Sequence, residues 1–205
     1  MPTPPLDFDF EAPPADPVSA VQSWLQEAVD RAATPNPNAI MLATADAHGK
    51  PSVRPMLLKG LDEDGAVFFT NRSSRKGRDL EYTKRAAILL FWDDVARQIR
   101  IEGTVTQTTP EEDDAYFSTR PRQSQLNAFA SDQSTILNSR KHLQRLVAAV
   151  TERYEGKPIP RPPHWGGYRL TLDSIEFWEG EPTRLHDRVV YTRTTGGWST
   201  ARLAP

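Results

Sequence analysis

The sequence predicts an antiparallel β-barrel decorated by helices, a mainly-β domain with α elements. Short apolar runs recur along the 205 residues, and Asp-Gly, His-Gly and Gly-Gly turns of the hairpin kind separate them. Helical stretches are interspersed, giving roughly seven or eight strands with four or five helices, which suits a barrel better than a parallel sheet with crossovers. No internal repeat is present.

Residues 1–15 hold five prolines and several acidic side chains, which leave little to pack, so a flexible arm is expected there. A single domain then spans 16–205. Asp16 can cap a helix with Pro17 at its first position, and Val21, Trp24, Leu25 and Ala28 share one face of it. The prolines of "TPNPN" end that helix. A β-meander follows: "AIMLATAD", a turn at "AHGK", "SVRPMLLKGL", a turn at "DEDG", and "AVFFTN". A short polar helix in "SSRKGRDLEYT" precedes two further strands, "AAILLFWD" and "RQIRIEGTVTQT". Thr109-Pro110-Glu111-Glu112 matches a capping box, so a helix begins there and carries Tyr116 until Pro121 breaks it. In "SRKHLQRLVAAVTERYEG", Leu143, Leu146, Val147, Val150 and Tyr154 form one stripe of an amphipathic helix. Strands return in "WGGYRLTLDSIEFWEG" and in a hairpin around "TTGG".

A chain of this length can bury a real core. Its formal charge of -2 gives no global basic field, which argues against nucleic-acid or membrane-surface partners, so any anion site must be local. The absence of cysteine excludes disulfides, a thiol nucleophile and thiolate metal ligands. His48, His142, His164 and His186 are scattered without ligand spacing, and no metal is expected. No apolar run approaches the roughly 18 residues of a membrane span, and the acidic N-terminus is unlike a signal peptide, so the expectation is a cytoplasmic protein. Neither a Gly-x-Ser-x-Gly elbow nor a GxGxxG or Walker loop occurs.

Four stretches can carry chemistry. "NRSSRKGR", residues 71–78, follows a strand and opens a helix, where free backbone N–H groups and the helix dipole join Arg75 and Lys76 as a phosphate cradle. A solvated basic face is the plainer alternative. In "VRPMLLK", strict alternation puts Arg54 and Lys59 on opposite faces, but Pro55 argues for an edge strand or bulge where that register can be lost. Alternatively, both simply meet water. In "YFSTRPRQSQ", Tyr116, Arg120 and Ser124 recur every four residues and would share a face of a continuous helix, although Pro121 interrupts it. Two hydroxyls and a guanidinium make a phosphate-recognition set, each charge-assisted bond being worth about 1.5–3 kcal/mol. The fourth stretch is "RLHDR". If extended, it points Arg184, His186 and Arg188 one way, a comb of cations in want of an anion, with Leu185 and Asp187 anchoring the strand behind. Trp178 precedes it, as a core residue or a stacking platform.

Taken in order, "RPMLLK", "FFTN", "SRKGRDLE", "RQIRIEG", "YFSTRPRQSQ", "SDQS", "WGGYRL", "IEFWEG", "RLHDR" and "RLAP" resemble the pyridoxamine (pyridoxine) 5'-phosphate oxidases from Asp16 to Pro205. The resemblance implies an FMN-binding split β-barrel, a homodimer with FMN in clefts between subunits and a C-terminal dimerisation region. It carries the flavin site to Arg54, Pro55, Met56, Leu57, Leu58, Lys59, Phe69, Thr70, Arg75, Lys76, Gln98, Gln133, Ser134, Trp178 and Arg188. The substrate phosphate falls to Lys59, Tyr116, Arg120 and Ser124, while Arg184 and His186 hold the pyridine ring against the flavin as the catalytic pair. The implied reaction oxidises pyridoxamine or pyridoxine 5'-phosphate to pyridoxal 5'-phosphate, with O2 as acceptor and H2O2 as product.

Two departures from the family pattern stand out. Phe69 occupies a position where Tyr is common, and the arm "DFDFEAPPADP" lacks the basic and tyrosine residues that close over substrate. That arm looks closer to the flavin oxidases of phenazine biosynthesis, relatives not expected to keep the Tyr/Arg/Ser set. Here the set is intact, which favours the vitamin B6 phosphate. A flavin- or pyridoxal-phosphate-binding module without turnover is the rival of another class, and the retained Arg184 and His186 speak against it.

Overall fold

A computed structural model of the chain describes residues 8–31 and 33–205. Helix α1 (Pro17–Arg31) is capped by Asp16, whose carboxylate accepts the backbone N–H of Val18 at 2.9 Å and of Ser19 at 3.3 Å. Its buried face, Val18, Val21, Trp24 and Ala28, joins the main core. Residues 1–7 of the expected arm lie outside the described residues, but 8–15 are not free. Phe8 is buried, stacked on Phe177 at 4.4 Å between ring centroids and edge-on to Trp24 at 5.5 Å. Tyr191 Oη donates to the Pro14 carbonyl at 2.9 Å. Burying one such aromatic stabilises the fold by about 1.5–3 kcal/mol, enough to tie down a proline-rich segment whose composition suggested little packing.

The strands are β1 (Ala39–Ala45), β2 (Pro51–Leu57), β3 (Gly60–Asp62), β4 (Gly65–Asn71), β5 (Arg85–Trp92), β6 (Arg97–Gln107), β7 (Trp165–Leu170), β8 (Ser174–Glu179), β9 (Asp187–Thr194) and β10 (Gly197–Arg202). They number ten against the seven or eight expected, and one of the additional strands arises because "SVRPMLLKGL" divides at Leu58 and Lys59 into β2, paired with β1, and β3, paired with β4. All pairs are antiparallel, in the order β10-β9-β8-β6-β5-β1-β2, with β7, β4 and β3 branching from β6. β6 pairs with β8 through Arg97–Glu102 and with β7 through Val105–Gln107. Between these segments stands Gly103, where a Cβ would lie 2.0 Å from the Thr171 carbonyl oxygen, so glycine is what lets the strand pass from one half of the barrel to the other. Leu42, Ile88, Ile101 and Ile175 face one another across β1, β5, β6 and β8 at no more than 1% exposure, fixing the inner face of the curled sheet.

Four more helices lie between the strands: α2 (Arg75–Thr83), α3 (Pro110–Thr119), α4 (Arg122–Ala130) and α5 (Arg140–Arg153). The capping box at Thr109 is complete, with Thr109 Oγ1 accepting from the Glu112 N–H and the Glu112 carboxylate accepting from the Thr109 N–H. The apolar stripe expected on α5 is only partly covered: no residue of the helix is fully buried and Leu146 stays exposed, while Tyr154, just past its end, is buried. Among the described residues no helix is long and apolar enough to cross a membrane.

Candidate active site

β4 ends at Asn71, and a short turn leads into α2. Ser74 caps that helix, accepting the Gly77 N–H at 3.3 Å, and the resulting phase turns Lys76 inward and Arg75 outward. Lys76 Nζ donates to Gln133 Oε1 at 2.9 Å and to Thr70 Oγ1 and Ser74 Oγ at 3.3 Å. Every one of these partners is neutral. Burial, with the charge of Arg54 adding to it, pushes the Lys76 ammonium down to about 8. Arg54 likewise donates to Thr44 Oγ1 at 2.8 Å, the Leu42 carbonyl at 3.1 Å and Ser52 Oγ at 2.7 Å. Burial lowers its pKa, Asp79 opposes that and Arg75 reinforces it. The structure thus brings Arg54, Thr70, Lys76 and Gln133 together as an electropositive cradle, with exposed Arg75 nearby and Ser134 on a loop at φ 73°.

Met56, Phe69, Thr70, Arg120, Ser124 and Gln133 line one open cavity of about 350 Å³, with Trp165 in its wall. That volume is within the range of small-ligand sites. Pro121 does interrupt the helix: α3 stops at Thr119, Arg120 is extended, and α4 restarts at Arg122. Tyr116, Arg120 and Ser124 therefore do not share a continuous helical face; the break itself aims Arg120. The guanidinium lies over the Trp165 ring at 4.6 Å and the Phe117 ring at 5.6 Å. Its Nη1 is buried without a hydrogen-bond partner among the described residues, and burial lowers its pKa. Leaving such a group unpaired costs about 1–3 kcal/mol, which an incoming anion relieves. Tyr116 stacks on Phe69 at 4.2 Å, and Lys59 Nζ is 5.8 Å from the Tyr116 ring centre. β2 is the edge strand that Pro55 suggested. It keeps strict alternation, with Arg54 and Met56 turned inward and Pro55 and Leu57 outward, while Leu58 is buried beyond its end. Lys59 escapes that alternation because the strand has ended.

The cationic comb expected at "RLHDR" does not form. β9 begins only at Asp187, and Arg184 occupies a turn at φ 66°, its N–H reaching the Glu181 carbonyl at 2.9 Å. Pro182 after Gly180-Glu181 was the overlooked turn signal. Leu185 is 71% exposed and anchors nothing, and Asp187 pairs with Arg202. Arg188 already has an anion: its Nε and Nη2 lie 2.9 Å and 2.8 Å from Glu176 Oε1, a buried carboxylate that Arg100 also holds at 2.6 Å. His186 Nδ1 accepts the Glu181 N–H at 3.0 Å, and its ring sits 4.8 Å from Trp178. Gln98, Trp178 and Arg188 are neighbours across β6, β8 and β9 on the outer face, whereas Arg54 shares the inner face with Leu42. One chain therefore carries the two expected halves of the flavin site on opposite faces of its sheet.

Sequence reasoning missed Trp165 and a buried pair, Asp113 and Arg72, whose Oδ2 and Nη2 are 2.9 Å apart. Asp113 Oδ1 also accepts from Thr108 Oγ1 at 2.6 Å and the Gly167 N–H at 2.7 Å. The available signal was helical phase: Asp113 precedes buried Phe117 by four residues.

The curled antiparallel sheet, divided between two halves by β6, defines the class as a split β-barrel. Family models cover nearly all of the chain, Pyridoxamine 5'-phosphate oxidase over residues 25–164 and Pyridoxine 5'-phosphate oxidase C-terminal dimerisation region over 165–205. The chain belongs to the pyridoxamine 5'-phosphate oxidase family. It is 51% identical over 190 residues to the pyridoxine/pyridoxamine 5'-phosphate oxidase of Rubrobacter xylanophilus, covering 93% of this chain and 87% of the relative. With that of Burkholderia cenocepacia the identity is 51% over 203 residues, covering 98% and 93%. Among solved structures, PhzG from Burkholderia lata, in complex with tetrahydrophenazine-1-carboxylic acid, matches with a TM-score of 0.90 at 34% identity, over 98% of this chain and 100% of that one. A pyridoxamine 5'-phosphate oxidase-related, FMN-binding protein from Nostoc punctiforme shares the fold, with a TM-score of 0.70 at 19% identity, over 91% and 96%.

Proposed function

We propose that the protein is an FMN-dependent oxidase converting pyridoxamine or pyridoxine 5'-phosphate to pyridoxal 5'-phosphate, with O2 as acceptor. The observation that carries this is the unpartnered, buried Nη1 of Arg120 in a cavity it shares with Ser124, a cavity that also reaches Thr70 and Gln133 of the cradle around Lys76. Two cation clusters suit two phosphorylated ligands. Arg54, Arg75, Lys76 and Ser134 would hold the flavin phosphate, the half-buried Arg54 and the buried Lys76 being hydrogen-bonded, among the described residues, to neutral oxygens and so left with charge to meet an anion. Lys59, Tyr116, Arg120 and Ser124 would hold the substrate phosphate. Arg184 and His186 would orient the pyridine ring. Because His186 Nδ1 accepts a backbone N–H, the neutral ring carries its proton on Nε2, a donor for the substrate.

When bound, a flavin supplies a two-electron acceptor for the hydride leaving C4', and O2 takes those electrons on as H2O2. The substrate also loses one proton from its amine or hydroxyl. The alcohol becomes the aldehyde directly; the amine gives an imine that water hydrolyses, releasing ammonia. The chain's own part is orientation and charge.

Oxidation of a reduced aromatic of the phenazine kind is the second reading, favoured by the match to PhzG. Aerobic incubation of the flavin-loaded protein with each B6 phosphate, following pyridoxal 5'-phosphate and peroxide, tests the first. No product from either phosphate sinks it, and turnover of a dihydrophenazine carboxylate instead selects the second. Arg120→Ala is expected to raise KM for the phosphate substrate about ten- to a hundredfold while flavin content stays near normal.

A further inference from the structure

Arg120 enters the cavity with a ring face, rather than a carboxylate, to hold it. Its guanidinium carbon is 4.6 Å from the centre of the Trp165 ring. Trp165 is itself immobilised. It is buried, stacked nearly parallel with Phe69 at 5.5 Å and 10° and with Tyr116 at 6.1 Å and 16°, and edge-on to Phe117 at 5.1 Å. At the start of β7 its N–H donates to the Pro162 carbonyl at 2.9 Å, and its carbonyl accepts from Arg161 Nη1 at 2.8 Å.

A carboxylate in that place would hold the guanidinium more strongly but would cancel the charge and occupy the N–H groups that an anion requires. A π face attracts the cation from above its plane and leaves the edge N–H groups available. The buried, unpartnered Nη1 is one such group. We infer that Trp165 is a positioning residue that sets specificity for the phosphate end of the substrate. It holds Arg120 in the cavity wall without neutralising it, and through the same stack aligns Tyr116. This rests on the B6-phosphate reading above.

Calorimetric titration of the flavin-loaded protein with 4-deoxypyridoxine 5'-phosphate and with 4-deoxypyridoxine, which lack the oxidisable group, gives the preference for phosphate as a ratio of two dissociation constants. Trp165→Leu is expected to shrink that ratio about three- to thirtyfold by weakening the phosphorylated ligand alone. Trp165→Phe, which keeps a smaller face, is expected to shrink it about threefold and decides the matter if the leucine variant does not fold. In an Arg120→Ala background the Trp165 substitution should change the ratio by less than about twofold, since its effect passes through Arg120. An unchanged ratio in the Trp165 variants, or the same loss with and without Arg120, overturns the inference. Wild-type protein that binds both ligands equally overturns the B6-phosphate reading, and the inference with it.

Discussion

Lys76 is a cation at 7% exposure, hydrogen-bonded to the oxygens of Gln133, Thr70 and Ser74. Burial and the nearby charge of Arg54 lower its pKa from 10.5 to about 8. Between those two values the unfolded chain binds more protons than the folded one, so this group makes stability rise with pH across that window. Below it the cost of keeping the buried amine charged is felt in full. An anionic ligand reverses the balance, because it is bound best by the protonated amine. The affinity of flavin-free protein for FMN is expected to stay level up to about pH 8 and then to fall by up to roughly tenfold per unit, followed by quenching of flavin fluorescence. Lys76→Arg should abolish the fall, since a guanidinium stays charged throughout; a fall that persists in that variant would belong to another group. The sequence displayed the adjacent cations Arg75 and Lys76 after a strand. It did not display which of them turns inward, because that depends on the phase set by the Ser74 cap.

At the level of elements, α3 is pinned to the barrel by one carboxylate. Asp113 joins the helix to Thr108, to the backbone of β7 at Gly167 and to Arg72 in the turn before α2. The helix that carries Tyr116 is thereby fixed to the turn that leads to Lys76. The contact is close enough that a Cβ at Gly166 would lie 2.4 Å from Arg72 Cζ and 2.5 Å from Asp113 Oδ2, which accounts for glycine there. Asp113→Ala would leave the Arg72 guanidinium uncompensated, with an expected loss of about 3–5 kcal/mol, or a melting temperature lower by roughly 10 °C. A drop of a degree or two by calorimetry would reduce the pair to an ordinary surface contact. Local chemistry made the helix starts at Asp16 and Thr109 readable, since a cap and the backbone N–H groups that donate to it lie within four residues. Which acid of "EEDD" goes inside is marked in the sequence by its phase with Phe117 alone, and its role is not, because the partners that fix it come from residues 72 and 167. The strand assigned to "RLHDR" failed for the opposite reason: the turn signal at Pro182 was local, but alternation of charge outweighed it.

At the scale of the whole molecule, the inner cradle around Arg54 and the outer row Gln98–Trp178–Arg188 cannot both face a single ligand bound to one copy of the chain. The outer face also carries contiguous apolar side chains on neighbouring strands: Val53 (67% exposed) and Leu57 (38%) on β2, Met41 (39%) on β1 and Phe91 (49%) on β5. Phe91 stands opposite Gln98 in register, so the apolar patch runs directly into the row. Apolar side chains grouped in this way on one sheet face mark an interface, and the family's dimerisation region covers both Trp178 and Arg188. A two-fold pair packed through this face would give each copy's cradle the other copy's outer row, making two equivalent flavin sites. Phe91→Glu places a charge in that contact without touching the inner core. It is expected to run as a folded monomer in light scattering, at concentrations where the unaltered protein is expected to run as a dimer, and to lose flavin in proportion. A monomer that retains its flavin would contradict a shared site, and a dimer that persists with Glu at position 91 would move the interface elsewhere.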